Sequence, residues 1–490
     1  MPGLIPYLVI IPLLAGLLIP ILARLERRLS GLIGNLAILA VLVISGLLFG
    51  VRLEYLVGGF SAPIGIVLRV DMLSVLLLWL IGVVGICSGI YSVKYMERYT
   101  GSGSYWGLFL LMIAGMNGVV LSGDLFNLYI FLEIASISSY ALVGFKGEPE
   151  ELEASFKYAV LSSVGSLFFL LGIGVLYLAY GTVNMGQLAG RLSEQAGAVN
   201  LKHFGVILLI SGVSLKSALV PFHSWLADAH PSAPAPVSAM LSGVLIKAIG
   251  VYVLVRLVFN IYGFDKSLSY LLLALGMLSM VGGVLLAIGQ WDYKRLLAYH
   301  SISQIGYVII GIGLGTPLGI MGGIYHLINH GIFKGLLFLS AGAVEYRADT
   351  RDLREMGGLS QRLPVTSSAS LIGSLSISGI PPFNGFFSKL IIIFACIEAR
   401  YYGIAIAMVI VSILTLASFM KVLRYGFYGK LNEKFKGLQE VPLSMRMAMV
   451  VLIILCLGMS ILVLPLFREM VLIEAEKVLS EGIGLLAMGL

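Results

Sequence analysis

Charge is what this sequence lacks. Only 12% of its 490 residues are Asp, Glu, Lys or Arg, about half the share of an ordinary soluble domain, while 59% are hydrophobic. That excludes a string of soluble domains and leaves a chain whose main solvent is lipid. Cysteine is scarce as well: Cys87, Cys396 and Cys456 are odd in number, far apart, and each inside an apolar run. Neither a disulfide framework nor a thiolate metal site follows from that pattern. Residues 3–23 are apolar, but no basic flank precedes them and no A-x-A-like site follows, so they read as a first span. No iron–sulfur, flavin or nucleotide motif is present, so no cofactor is expected and any redox chemistry would belong to another chain.

What the sequence does have is a succession of apolar runs near 3–23, 31–51, 72–92, 107–122, 124–145, 157–180, 203–220, 235–258, 268–288, 295–315, 318–342, 364–397, 402–424 and 446–466. Runs of this length span a bilayer as helices. They predict an all-α, polytopic membrane protein of about 14 transmembrane helices. With an even count the loops alternate between two sides, and one side collects 19 lysines and arginines against 9 on the other. The positive-inside rule makes the richer side cytoplasmic, with the chain in the cell membrane and both termini outside. The formal charge of +7 therefore reflects loop placement rather than a nucleic-acid partner. On the basic side "EYRADTRDLREMGG" (345–358) reads as a solvated loop. After the last span, "LFREMVLIEAEKVLSE" (466–481) reads as an amphipathic tail for the interface or a partner. Asp71 and Asp124 open apolar runs and read as N-caps.

Two runs are broken. "SLKSALVPFHSWLADAHPSAPAPVSAML" (214–241) carries four prolines, and "SLSISGIPPFNGFFSKL" (374–390) places Gly379, Pro381 and Pro382 mid-run. At membrane depth such breaks survive only where protein or water satisfies the freed backbone. Paired breaks in two halves of a chain point to inverted repeats. Two repeats of five helices fit, at 107–258 and 268–424, between N-terminal helices (1–106) and a C-terminal helix with its tail (425–490).

The remaining 4 of the 32 cationic residues, Lys216, Lys247, Lys334 and Lys389, fall within spans. Each costs roughly 2.5–3.5 kcal/mol at a helix centre, so the set needs partners or a use. Glu133, in "GDLFNLYIFLEIASISSYALVGF", is the evident anionic candidate for Lys216. In "YHLINHGIFKGLLFL" (325–339), His326, His330 and Lys334 follow one another at intervals of four. On a helix they drift by only about 80° over about 12 Å, forming one polar stripe. Imidazole, imidazole and amine can hand protons along such a stripe, whereas a metal site is not expected, because no carboxylate or thiolate accompanies the pair. The plainer alternatives are interhelical hydrogen bonding by the histidines and snorkelling by the lysines. A b-type haem would need histidines from facing helices, and a solitary solute symporter would need a substrate pocket at the breaks.

The blocks "LKSALVPFHSWLADAHPSAPAPVSAMLSGVLIKAIGVY", "WDYKRLLAYHSISQIGYVIIG", "YHLINHGIFKGLLFLSAG" and "GIPPFNGFFSKL", with the Glu133 block before them, resemble the antiporter-type membrane subunits shared by respiratory complex I, Mrp-type multisubunit cation/proton antiporters and membrane-bound hydrogenases. The "AHPSAPAPVSAMLSG" wording and Lys389 are most similar to the D-type Mrp subunit and its counterparts in archaeal hydrogenase or sulfur-reducing complexes. The resemblance implies a proton-translocating subunit with two linked half-channels, working with other membrane subunits and coupled to Na⁺ exchange or to redox energy. The alternative is a proton-pumping subunit of a complex I-like NADH or ferredoxin:quinone oxidoreductase. It further implies a Glu133–Lys216 pair governing the first half-channel, a connecting Lys247, an axis of His326, His330 and Lys334, and a terminal Lys389. His300, where many relatives carry a small polar residue, and His223 are further candidates.

Overall fold

Lipid offers no partner for a bare backbone amide, and the chain accordingly folds almost wholly into helices. The computed structural model describes residues 1–194 and 199–481. Helices α1 (Tyr7–Leu22) and α2 (Arg27–Leu47) lead into a two-stranded antiparallel hairpin, β1 (Leu53–Leu56) and β2 (Val67–Val70), in which Leu53 faces Val70. Then follow α3 (Met72–Tyr95), α4 (Ser102–Leu121), α5 (Leu125–Val143), α6 (Pro149–Tyr180), α7 (Met185–Glu194), α8 (Val199–Lys216) and α9 (Ser224–Ser232). One continuous helix comes next: α10 (Ala235–Met240), a π-wound stretch Leu241–Tyr252, α11 (Val253–Val255) and a second π-wound stretch Arg256–Tyr262. The remainder is α12 (Lys266–Ile288), α13 (Tyr293–Gly313), α14 (Pro317–Ala348), α15 (Pro364–Ser378), α16 (Asn384–Glu398), α17 (Tyr402–Val422), α18 (Leu443–Gly458), α19 (Pro465–Phe467) and α20 (Glu474–Ser480).

Among the described residues 12 helices are long and apolar enough to cross a membrane. The expected spans outside that set are 203–220 and 364–397. In the first, α8 stops at Lys216 and α9 begins only at Ser224; in the second, α15 stops at Ser378 and α16 begins at Asn384. Gly379 closes α15 in the left-handed region at φ 79°, with the Ile380 amide donating back to Leu375 O at 3.0 Å. That geometry suits glycine and satisfies a carbonyl the helix end would leave bare.

Two elements form the centre. The helix Ala235–Tyr262 and α14 are surrounded by protein on all sides, whereas α1, α2, α17 and α18 turn apolar faces outward. The two central elements meet backbone to backbone: a Cβ on Gly331 would lie 2.8 Å from Gly243 O, and one on Gly243 would lie 3.1 Å from Gly331 O. Gly331→Leu is therefore expected to destabilise the protein by about 1–3 kcal/mol through overpacking. Thermal unfolding in detergent measures this.

Asp71 and Asp124 do cap α3 and α5, accepting from Ser74 N at 3.0 Å and Asn127 N at 2.6 Å. Asp71 does more than cap. Arg256 Nη2 donates to its two carboxylate oxygens at 2.7 and 2.5 Å, and both side chains are largely buried. Burial favours the protonated acid, yet the Arg256 guanidinium and the Ser74 amide outweigh it and hold Asp71 below the usual carboxylate range. Arg256→Met leaves that carboxylate buried and unpaired, and should lower stability by about 3–5 kcal/mol by the same unfolding measurement.

Arg256, one of the 9 cations counted to the sparser side's loops, is thus no loop residue, because the helix runs on to Tyr262 rather than ending near 258. Lys294, one of the 19 cations counted to the basic side's loops, is corrected likewise. It is fully buried in the first turn of α13 and pairs with Glu345 at 2.6 Å. Residues 345–348 belong to α14, so "EYRADTRDLREMGG" is not wholly a solvated loop. The amphipathic tail docks on this chain's own bundle: Leu472, Ala475 and Leu479 are buried, and Asn260 Nδ2 donates to Val478 O at 2.9 Å.

Candidate functional site

Lys216, Lys247, Lys334 and Lys389 are all buried, and the ammonium of each finds oxygen partners. Lys216 is the last residue of α8, where the chain leaves the helix through Ala218 at φ 54°. Its Nζ donates to Ser162 Oγ at 2.7 Å, Ser136 Oγ at 3.0 Å, Glu133 Oε1 at 3.4 Å and Tyr140 OH at 3.5 Å. Glu133 on α5 also accepts from Ser166 Oγ on α6. The expected pair is thus present within a cage of hydroxyls from α5 and α6. Trp225 Nε1 donates to Leu215 O at 3.0 Å, satisfying a carbonyl freed by the interruption. Gly250 makes the next link, since a Cβ there would meet Ser217 Oγ at 2.5 Å. Its bareness lets the end of α8 lie directly on the helix that carries Lys247.

Lys247 is fully buried, and its Nζ donates to Ser242 O, five residues back in the π-wound stretch, at 2.6 Å. Lys334, on α14, donates to Leu297 O of α13 at 2.5 Å. The Gly243–Gly331 contact lies about one turn or less from each of these lysines and brings their helices together. Ser242 Oγ and Ser301 Oγ, 2.7 Å apart, join α13 to the same junction.

His326 and His330 follow one face of α14 with near-parallel rings whose centroids are 6.4 Å apart. His326 Nδ1 hydrogen-bonds Ser388 Oγ at 2.9 Å, and Nε2 lies 3.2 Å from Gln304 Oε1. Both ring nitrogens of His330 are buried without a hydrogen-bond partner among the described residues. Ser388 immediately precedes Lys389 on α16. Lys389 Nζ donates to Ile377 O at 2.7 Å and to Ser412 Oγ at 3.4 Å, and sits 4.6 Å from the centre of the Tyr307 ring. Lys389 therefore also ties down a carbonyl at the end of α15. It borders a crevice of 210 Å³ with Gly379, Phe386 and Ser412.

The further candidates fare differently. His300 is fully buried on α13, its Nε2 2.9 Å from Ser418 Oγ and its Nδ1 without a partner among the described residues. His223 is half-buried at the start of α9, beside exposed Phe222, and makes no hydrogen bond to any of the buried lysines.

Sequence reasoning passed over His230. It is fully buried in α9, both ring nitrogens lack hydrogen-bond partners among the described residues, and its ring meets Trp225 and Phe338 edge-on. Lys247 and Lys334 act on it electrostatically. Its position in the proline-rich segment was the available signal. Also passed over was an ionic cluster near the C-terminal end of α9. Lys294 pairs with Glu345 at 2.6 Å, Lys146 lies 3.7 Å from Glu345 and 3.5 Å from Glu151, and Lys294 donates to Ala233 O at 3.2 Å.

The arrangement is a chain of amines, imidazoles and hydroxyls through the interior, with Glu133 beside its first lysine. Such groups bind and release protons without moving far. Among the described residues no cluster of His, Cys, Asp and Glu is suited to a metal ion.

Comparison with known proteins accords with this architecture. Residues 122–415 match the family model "NADH:quinone oxidoreductase/Mrp antiporter, TM", and residues 56–106 match "NADH-Ubiquinone oxidoreductase (complex I), chain 5 N-terminus". The chain is 35% identical to the D-type subunit of the Na⁺/H⁺ antiporter of Alkalihalophilus pseudofirmus over 86% of each chain. It is 34% identical to the N-type subunit of the NADH-quinone oxidoreductase of Desulforudis audaxviator, covering 95% of this chain and 96% of the relative. A chain in the Mrp complex of Dietzia sp. DQ12-45-1b superimposes with a TM-score of 0.91 at 27% identity, covering 99% of both. This multi-pass membrane protein belongs to the NADH:quinone oxidoreductase/Mrp antiporter transmembrane family.

Proposed function

We propose that the chain is a proton-translocating subunit of a multisubunit membrane complex, moving H⁺ through two linked half-channels. The observation that carries this reading is the row of buried bases from Lys216 to Lys389, with Glu133 against its first member. Glu133 and Lys216 form the switch of the first half-channel. Lys247 connects the halves, His326, His330 and Lys334 form the axis of the second, and Lys389 is the terminal exchange group. His300 extends the axis on one flank, and His223 stands outside it.

In this reading the interrupted segments 199–232 and 364–398 each cross the membrane, which raises the 12 long helices to fourteen spans. Residues 107–258 and 268–424 are inverted repeats of five helices, each with one broken member, preceded by 1–106 and followed by 425–490. The basic loops face the cytoplasm and both termini lie outside the cell membrane. Proton movement is coupled to Na⁺ exchange by neighbouring Mrp-like subunits, as the likeness to the D-type antiporter protein supports. A second reading, a pumping subunit of a complex I-like NADH or ferredoxin:quinone oxidoreductase, is supported by the relative covering 95% of the chain.

The test is to purify the chain with its membrane neighbours, identify them by mass spectrometry, and reconstitute the assembly in vesicles carrying a pH-sensitive dye. Proton movement driven by a Na⁺ gradient supports the antiporter form, and movement driven by electron transfer the redox form. An assembly that moves no protons under either drive would overturn both.

A further inference from the structure

The proton-path reading leaves unused a buried cluster of charge. Four ionisable side chains meet there from both halves of the chain: Lys146 from the loop after α5, Glu151 from α6, Lys294 from α13 and Glu345 from α14. Their ion-pair side chains are no more than 16% exposed, and the formal charges cancel. The pairing is uneven. Glu345 is contacted by Lys294 at 2.6 Å, Lys146 at 3.7 Å and Tyr95 OH at 3.4 Å. Glu151 has only Lys146, at 3.5 Å from Oε1, while its Oε2 is buried with no hydrogen-bond partner among the described residues.

The groups facing the cluster from other elements are Tyr91 and Tyr95 at the end of α3, Arg98 and Tyr99 beyond it, Tyr346 on α14, and Arg351. None is an acid that could share the load of Glu151. Arg351 is turned aside, pairing with Asp292 at 3.2 Å and donating to Pro231 O at 2.7 Å.

Resting on that proton-path reading, we propose that Glu151 is the proton-sensing member of this cluster and that Lys146, Glu345 and Lys294 transmit its state to the buried axis. A proton taken from water on the basic-loop face binds the unpartnered Oε2 of Glu151. Lys146 then loses one of its two anions and turns its charge on Glu345. Glu345, drawn toward Lys146, loosens its hold on Lys294. Lys294 is the lever, because its Nζ also anchors Ala233 O, the residue that ends the helix bearing His230. Glu345 lies on α14 with Lys334, and Lys294 lies on α13 with His300, so both outputs run along helices of the axis. In a desolvated site each charge change is felt strongly by its neighbours. These are positioning residues: they act through the C-terminal end of α9 and touch no ion in the central path.

The experiment uses the full chain in its native assembly, reconstituted in vesicles, with transport rate recorded against pH on the basic-loop face. Glu151→Gln is expected to lose the acid limb of that profile and a protonated-carboxyl infrared band that wild type gains on acidification. Glu153→Gln, on the exposed side of the same helix, should retain both. Should Glu151→Gln fail to assemble, Glu151→Asp keeps the charge, withdraws it from Lys146, and is expected to displace the profile. A wild-type profile in either Glu151 variant overturns the proposal, because a merely structural clamp would alter stability and leave the pH dependence in place. A wild-type assembly that transports no protons at any pH defeats instead the reading beneath it.

Discussion

Replacing Glu133 with alanine is expected to cut proton translocation by the assembled complex about a hundredfold or more, without loss of the assembly. The Lys216 ammonium has four oxygen neighbours, but only Glu133 carries charge; Ser136, Tyr140 and Ser162 are hydroxyls. Removing the sole anion leaves an ammonium buried among neutral dipoles, a situation that costs about 3–5 kcal/mol in other proteins. The switch would then lose the ion pair whose making and breaking it depends on. Lys216→Ala breaks the same switch from the other side, leaving Glu133 with Ser166 as its hydrogen-bond partner among the described residues. The two changes act on one unit, so the double variant should be little worse than either single one. Dye-reported proton uptake in vesicles measures all three. Normal pumping by both single variants would dismiss the switch.

Lys334→Met should have effects of opposite sign on stability and on transport. Lys334 is fully buried, and its oxygen partner among the described residues is the neutral carbonyl of Leu297. A side chain of similar length without charge removes a desolvation cost, and stability should rise by about 1–3 kcal/mol. Transport should fall about a hundredfold or more, because the axis then lacks a proton carrier between the helix of Lys247 and the histidine pair. If Lys334 were only a structural hydrogen bonder, the same change would lower stability and leave transport largely intact. Thermal unfolding in detergent and vesicle transport together separate the two cases.

Much of this was legible in the sequence, for a simple reason. Lipid makes charge expensive, so every lysine in an apolar run announces itself, as Lys216, Lys247, Lys334 and Lys389 did. The stripe of His326, His330 and Lys334 followed from helical periodicity, and the α14 backbone keeps it on one face. Proline and glycine marked both interruptions. Legibility failed at the helix ends. Lys294, Glu345 and Arg256 stand at or beyond the margins of the apolar runs, and hydropathy alone cannot separate a loop cation from a buried one in a terminal turn. Pairing between residues far apart in the chain, such as Asp71 with Arg256, leaves no local pattern. His230 sits in the proline-rich segment that marked the first interruption, but no local pattern showed that its ring would be buried.

From Lys247 through Lys334 and His330 to Lys389, the buried bases of the axis are amines and imidazoles, with no carboxylate among them. Such groups are neutral when empty and positive when loaded. The proposed path would then carry no formal negative charge on these bases, so a bare alkali-metal ion would find only the dipoles of neighbouring carbonyl and hydroxyl oxygens, and repulsion wherever a base is loaded. Discrimination between H⁺ and Na⁺ would then draw on the sign of the loaded state as well as on size.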